Sequence, residues 1–188
     1  MIMRLILILV VAFAVVSGCK ENSYPRPRGY HRLILPKHTY QTFDNEHCPF
    51  IFEYPTYGKL ETQRMDSCFF NIYFPEFDAK WHITTRIFDN KKVTYNYSLE
   101  DYRELCYKHT QKGTVNEFPI KQPHAIGRFF ELYGEVPTNA KFFISDSNRY
   151  ALMADFYFNT ALKNDSLAPI IKHMKEDMRH LIKTIRWK

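Results

Sequence analysis

The stretch Asp165–Lys188, DSLAPIIKHMKEDMRHLIKTIRWK, decides the fold. Leu167, Ile170, Ile171, Met174, Met178, Leu181, Ile182 and Ile185 recur at helical spacing without a break, so one face of a long helix is apolar. Asp165 and Ser166 are suitable caps, and Pro169 is tolerated in a first turn, where its missing N–H has no partner to lose. The opposite face carries Lys172, Lys175, Glu176, Asp177, Arg179 and Lys183. Such a helix can lie on a membrane, but Glu176 and Asp177 interrupt the basic face. Packing of the stripe on a sheet is the better reading, with Trp187 closing the helix onto the core.

Upstream lies the sheet that such a helix needs. AIGRFFELYG (125–134), KFFIS (141–145) and YALMADFYF (150–158) read as strands, separated by the turn-forming EVPTN and DSNR. Together they predict a meander. In KWHITTRI (80–87), Trp81, Ile83, Thr85 and Ile87 alternate with polar partners, the period of a half-buried strand. FIFEY (50–54) and FFNIYF (69–74) are aromatic runs stopped by proline, and HRLIL (31–35) is a candidate first short strand. Between the two groups of strands, Ser98 offers an N-cap with Asp101 three residues on. Leu99, Tyr102, Leu105, Cys106 and His109 share one face of a helix that should stop by Gly113. The order predicts one α+β domain: an antiparallel sheet of about five to seven strands packed with helices, the C-terminal one long.

The other end of the chain concerns location. Arg4 is followed by LILILVVAFAVV (5–16), then Ser17, Gly18 and Cys19. This is the plan of a secretory signal, and its apolar core is well short of the ~20 residues that span a bilayer. VSGC resembles the bacterial lipobox, whose cysteine is acylated and heads the mature chain. The expected organisation is a removed leader at 1–18, a lipidated Cys19 with a polar, proline-containing tether through residue 29, and a domain at 30–188. The covalent lipid on Cys19 is then the only attached group, with no other cofactor and no metal expected. A domain held in this way faces the periplasm; the inner and outer membranes are not distinguished. Removing Arg4 with the leader lowers the 26 Lys and Arg to 25 against 20 acids, a balance of +5 spread without runs. Nucleic acid is therefore not an indicated partner.

Three cysteines remain after Cys19. Cys48 and Cys68 each stand just before an aromatic strand, and in an oxidising compartment two adjacent strand entrances can bring such a pair within bonding range. Cys48–Cys68 is the expected disulfide; three free thiols are the alternative. Cys106 falls on the apolar helix face as a buried thiol.

Enzyme signatures are missing. Gly29, Gly58, Gly113, Gly127 and Gly134 form no phosphate-cradling loop, and neither G-x-S-x-G nor S-x-x-K occurs. His173 and Asp177 are four apart and can share a metal, but a surface helical pair is the plainer account. His109, near a helix C-terminus, suits the helix dipole. Ser145, Asp146 and Ser147 offer a nucleophile only in the company of groups that no motif supplies, and a hairpin turn chooses the same residues. Phe69, Tyr73, Tyr95, Tyr97, Tyr133 and Tyr157 sit at strand or edge positions. Facing outward they would suit a protein or sugar partner; facing inward they fill the core.

With these segments placed, PRPRGY (25–30), CPFIFEYPTYG (48–58), CFFNIYFP (68–75), YKHT (107–110) and the C-terminal stretch resemble, in order, the gliding-motility lipoprotein GldD family of Bacteroidetes. The family's lipobox cysteine corresponds to Cys19. The resemblance implies a non-enzymatic cell-envelope lipoprotein that supports gliding and type IX protein secretion. It would do so by stabilising or assembling other envelope components, with a GldE-like membrane protein and a GldJ-like lipoprotein as partners. No catalytic residues carry over from the family. At fold level, FIFEYPTYG, the final meander and the long helix resemble the Mog1/PsbP-like fold. Two other functions stay open: a ligand-binding lipoprotein that holds glycan or lipid on an aromatic face, and a hydrolase built without a known motif.

Overall fold

In the computed structural model the described residues are 33–64, 68–89, 92–108, 110, 113–159 and 164–188. The leader, Cys19, the tether and His109 lie outside them, as do the side chains of Asp165 and Ser166. Among the described residues, ten strands and two α-helices follow one another. Strand β1 (Tyr40–Asp44), β2 (Phe50–Pro55), β3 (Lys59–Arg64), β4 (Phe69–Phe74) and β5 (Ala79–Ile87) precede helix α1 (Tyr95–Lys108). Strands β6 (Gly113–Gln122), β7 (Ala125–Gly134), β8 (Thr138–Ser145) and β9 (Tyr150–Phe158) lead to helix α2 (Asn164–Thr184) and a final β10 (Arg186–Trp187).

The strands form two antiparallel sheets. One has the order β1-β2-β10, and the other has seven strands in the order β3-β4-β5-β9-β8-β7-β6. The expected meander is present as β7-β8-β9, and the α+β class holds. Four strands were not foreseen: β1, β3, β6 and the two-residue β10. All are sheet edges. An edge strand packs fewer neighbours, so its sequence is freer to be polar. YQTFD buries only Phe43, KLETQR has a single aliphatic residue, and GTVNEFPIKQ carries Pro119, which an edge strand tolerates. Residues 33–35, the described end of the expected first strand, are not in a strand; pairing begins at Tyr40.

Helix boundaries also moved. Helix α1 starts at Tyr95 because Thr94, not Ser98, acts as cap: its Oγ accepts the Tyr97 N–H at 3.3 Å. Ser98 is buried inside the helix with Leu99, Tyr102 and Cys106, while Leu105 points outward. Helix α2 begins at Asn164, which places Pro169 beyond the first turn. On β5, Trp81 and Ile83 are fully buried as the alternation predicts, but Ile87 at its end is exposed.

Two apolar layers cover opposite faces of the large sheet. Phe70, Ile72, Phe74, Trp81, Ile83, Phe142, Ile144 and Phe156 share a core with β2 and with the α2 residues Met174, Met178 and Leu181. On the other face Leu99, Tyr102 and Cys106 of α1 meet Phe130, Leu132, Phe143 and Met153. Strand β8 is covered on both sides and every residue in it is buried, with Phe142 and Phe143 turned to different cores. Gly127 on β7 permits this close packing: a Cβ there would stand 1.9 Å from the Phe143 carbonyl oxygen.

Helix α2 packs on β2 of the small sheet and on β8 of the large one. Its polar face is therefore not solvated as a whole. Lys172, Glu176 and Lys183 are exposed, whereas His173, Lys175 and Asp177 are buried. The expectation of a charged outer face is corrected: β1 and the segment entering it cover Asp177, and β7 of the large sheet covers Lys175. Trp187 closes the chain end by pairing with Phe50 across β10–β2, its ring edge-on to Phe50. No described helix is long and apolar enough to cross a membrane.

Candidate functional site

The helical period that buries Met174 and Met178 also buries His173 and Asp177, one turn apart. Asp177 has no solvent exposure, and a carboxyl so placed requires donors. Three reach it. His38 Nδ1, from the segment entering β1, lies 2.6 Å from Oδ1; Tyr40 OH, on β1, donates to the same oxygen at 2.9 Å. Tyr57, in the turn between β2 and β3, donates its OH to Oδ2. Burial, with the hydrogen bond and charge of Asp177, pushes both phenols well above their ordinary value, so they remain donors.

His173 completes the cluster. Its ring stacks on His38, with centroids 4.1 Å apart, and Nε2 lies 3.8 Å from Asp177 Oδ2, too far for a hydrogen bond. Nε2 is buried and has no hydrogen-bond partner among the described residues. Burial lowers the His173 pKa, partly opposed by the Asp177 charge, and so favours neutral imidazole. His38 also points Nε2 at Glu176 Oε2, 3.3 Å away at the rim. Donor atoms of His38, His173 and Asp177 all lie within 4.8 Å of one another, a grouping that can hold a metal ion. Thus the surface pair expected at His173 and Asp177 is a buried cluster. His38, Tyr40 and Tyr57 were not foreseen as its members, because they come from positions more than 100 residues away and carry no local pattern. The one legible signal was the spacing of His173 and Asp177.

Two other polar groups sit in the cores. Facing the large sheet, Glu131 of β7 accepts from Lys175 Nζ at 3.2 Å and from Arg179 and Tyr133. The Lys175 ammonium also lies over the Tyr133 ring, 4.4 Å from its centre. On the opposite face, Tyr102 donates to Asp155, whose Oδ1 is 3.1 Å from the buried Lys141 Nζ. Cys106 is buried in that core, and burial pushes its thiol up to about 12, as an inert core thiol requires.

The remaining site expectations are placed as follows. Cys48 and Cys68 are joined, with Cα atoms 5.5 Å apart. Ser145 is buried; its Oγ donates to the Tyr150 carbonyl at 2.7 Å and accepts the Ser147 N–H at 2.8 Å. Asp146 Oδ1 accepts the N–H groups of Asn148, Arg149 and Tyr150, so residues 146–149 are the hairpin turn between β8 and β9 and Ser145 ends β8. Of the six aromatic candidates, Tyr97 and Tyr133 are exposed, while Phe69, Tyr73, Tyr95 and Tyr157 are half-buried. Tyr97 and Tyr107 flank an open groove of about 470 Å³ on α1, lined also by Glu100, Asp101, Arg103 and Glu104.

Comparison with known proteins adds the following. The sequence profile of a family described as gliding motility lipoprotein GldD matches residues 20–187. No curated protein matches the chain significantly. Among solved structures, the chain is similar to cyanobacterial PsbP (CyanoP) from Synechocystis, at 8% identity and a TM-score of 0.49, over 82% of this chain and 95% of that one.

Proposed function

The chain belongs to the gliding motility lipoprotein GldD family, and from that premise we propose that it is a non-enzymatic envelope component, held to a membrane through an acylated Cys19. In this reading the folded domain lies in the periplasm and supports gliding and type IX protein secretion by stabilising or assembling other envelope proteins. A GldE-like membrane protein and a GldJ-like lipoprotein are the proposed partners. The observation that carries the reading is the extent of the family match, which begins at Lys20, directly after the lipobox cysteine, and runs almost to the chain end.

A non-enzymatic role agrees with the chemistry of the buried groups. Glu131 and Asp177 spend their oxygens on neighbours inside the fold, Ser145 is committed to a turn, and Cys106 is an inert core thiol. The alternative of a glycan- or lipid-binding lipoprotein is supported by one feature, the groove between Tyr97 and Tyr107. Its four charged lining residues differ from the mostly apolar wall that a small-molecule site uses.

Crosslinking of the lipidated protein in its own envelope, followed by purification and mass spectrometry, tests the proposal. The expected result is specific recovery of an integral membrane protein and a second lipoprotein. Recovery of no envelope protein above the level seen with an unrelated lipoprotein would refute it.

A further inference from the structure

We propose that His38, His173 and Asp177 form a zinc site that fastens the chain entering β1 to the C-terminal helix. This departs from the sequence-based expectation of no metal and is independent of the role proposed above.

The donor set is the first reason. Two imidazoles and one carboxylate suit zinc, whereas calcium and magnesium prefer oxygen alone. His173 and Asp177 stand four apart on one helix, the spacing that turns two ligands to the same side. Their size fits as well. Ligands about 2.0–2.1 Å from a tetrahedral ion lie roughly 3.3–3.5 Å from one another. The observed separations are 2.6 Å for His38 Nδ1 to Asp177 Oδ1 and 3.8 Å for His173 Nε2 to Asp177 Oδ2, and no pair of donors is beyond 4.8 Å. The two short distances run to different Asp177 oxygens, so a turn of the carboxylate would select the one that meets both imidazoles.

A second and independent observation is the orphaned nitrogen. His173 is more than nine-tenths buried, and its Nε2 has no partner among the described residues. A buried polar atom in this state carries a desolvation cost, which a bound cation would relieve. The surroundings fit the proposal. Tyr40 and Tyr57 donate to the Asp177 oxygens and fix the carboxylate, as outer-shell groups do around metal ligands. Glu176 Oε2, 3.3 Å from His38 Nε2, lies across that ring from Nδ1 and would hold the Nε2–H of a zinc-bound His38, leaving water as the fourth ligand. With zinc on His38 Nδ1, the ring hydrogen would sit on Nε2, beside Glu176.

The site would join positions 139 residues apart, at the point where the chain enters the folded domain. Its presence would therefore raise thermal stability.

The full-length lipidated protein, purified in detergent and stripped with a chelator, is titrated with zinc by calorimetry and then assayed for bound metal. One zinc per chain is expected, with a rise in the unfolding midpoint. His38→Gln and His173→Gln should each weaken binding by more than the roughly 10–100-fold that loss of an outer-shell partner costs. His82→Gln, on β5 and bonded to Asn71, should leave it unchanged. His38 is partly exposed, so its variant retains the fold and reports on the site even if His173→Gln does not fold. Failure of the wild type to bind zinc, or undiminished binding in His38→Gln, would overturn the proposal. So would undiminished binding in a folded His173→Gln.

Discussion

Replacing Glu131 with alanine should be among the most damaging single polar changes in the domain, and its size can be worked out from the surroundings. Glu131 is buried and accepts from Lys175, Arg179 and Tyr133. Arg179 and Tyr133 are partly exposed and can turn to water once the carboxylate is gone. Lys175 cannot, since only 6% of it is exposed and burial already lowers its pKa. Leaving one charge of a buried pair without its partner costs about 3–5 kcal/mol, and the freedom of Arg179 favours the lower end. Urea unfolding followed by circular dichroism at neutral pH measures the loss. Lys175→Met added to Glu131→Ala should recover part of it, because an apolar pair of similar volume is often neutral. The pH dependence has a definite sign. Burial raises the Glu131 pKa, but the bonds from Tyr133, Arg179 and Lys175 outweigh it, so the folded value is lowered. Its stabilisation is therefore complete above the unfolded value of about 4.3 and is lost as pH falls through the folded value. Glu131→Gln should lack that part of the acid loss. A cost below about 1 kcal/mol for Glu131→Ala, with no recovery from Lys175→Met, would refute the reasoning.

Two further outcomes follow from the cores. Closing a loop with a sequence separation of 20 should make the Cys48–Cys68 bond worth roughly 3 kcal/mol by chain entropy. Paired Cys48→Ala and Cys68→Ala substitutions test this, while thiol labelling of the non-reduced protein should modify, among these three cysteines, only Cys106 and only after unfolding. Ile171→Ala and Leu181→Ala should each cost about 2–5 kcal/mol, since both side chains are buried between helix α2 and the sheets. Losses below about 1 kcal/mol at both would mean that the apolar stripe is kept for something other than the core.

Much of this fold could be read where burial writes a period. The apolar stripe of α2, the alternation at Trp81 and Ile83, and the meander of β7, β8 and β9 are repeated local patterns, and each emerged in its expected place. Edge strands β1, β3 and β6 bury too little for their sequences to show a period, so they were missed. The same omission hid the small sheet and with it the burial of Asp177. The buried cluster was legible only in part. His173 and Asp177 share a helical turn, but His38, Tyr40 and Tyr57 reach Asp177 through tertiary structure alone. The disulfide was readable because both cysteines precede aromatic strands, a local mark on each side of the bond.

The proposed lipid tether at Cys19 is tested most directly by Cys19→Ala in the producing organism, with fractionation, unfolding, gliding and secretion measured together. The variant should lose lipid labelling, leave the membrane fraction and unfold at nearly the wild-type midpoint. Residues 20–29 have no periodic apolar face with which to join the core. Gliding and secretion should nevertheless fail, because a tethered domain meets a membrane-fixed partner at high effective concentration and a free one does not. A soluble Cys19→Ala protein that fully supports secretion, or one that stays on the membrane in high salt, would contradict the account.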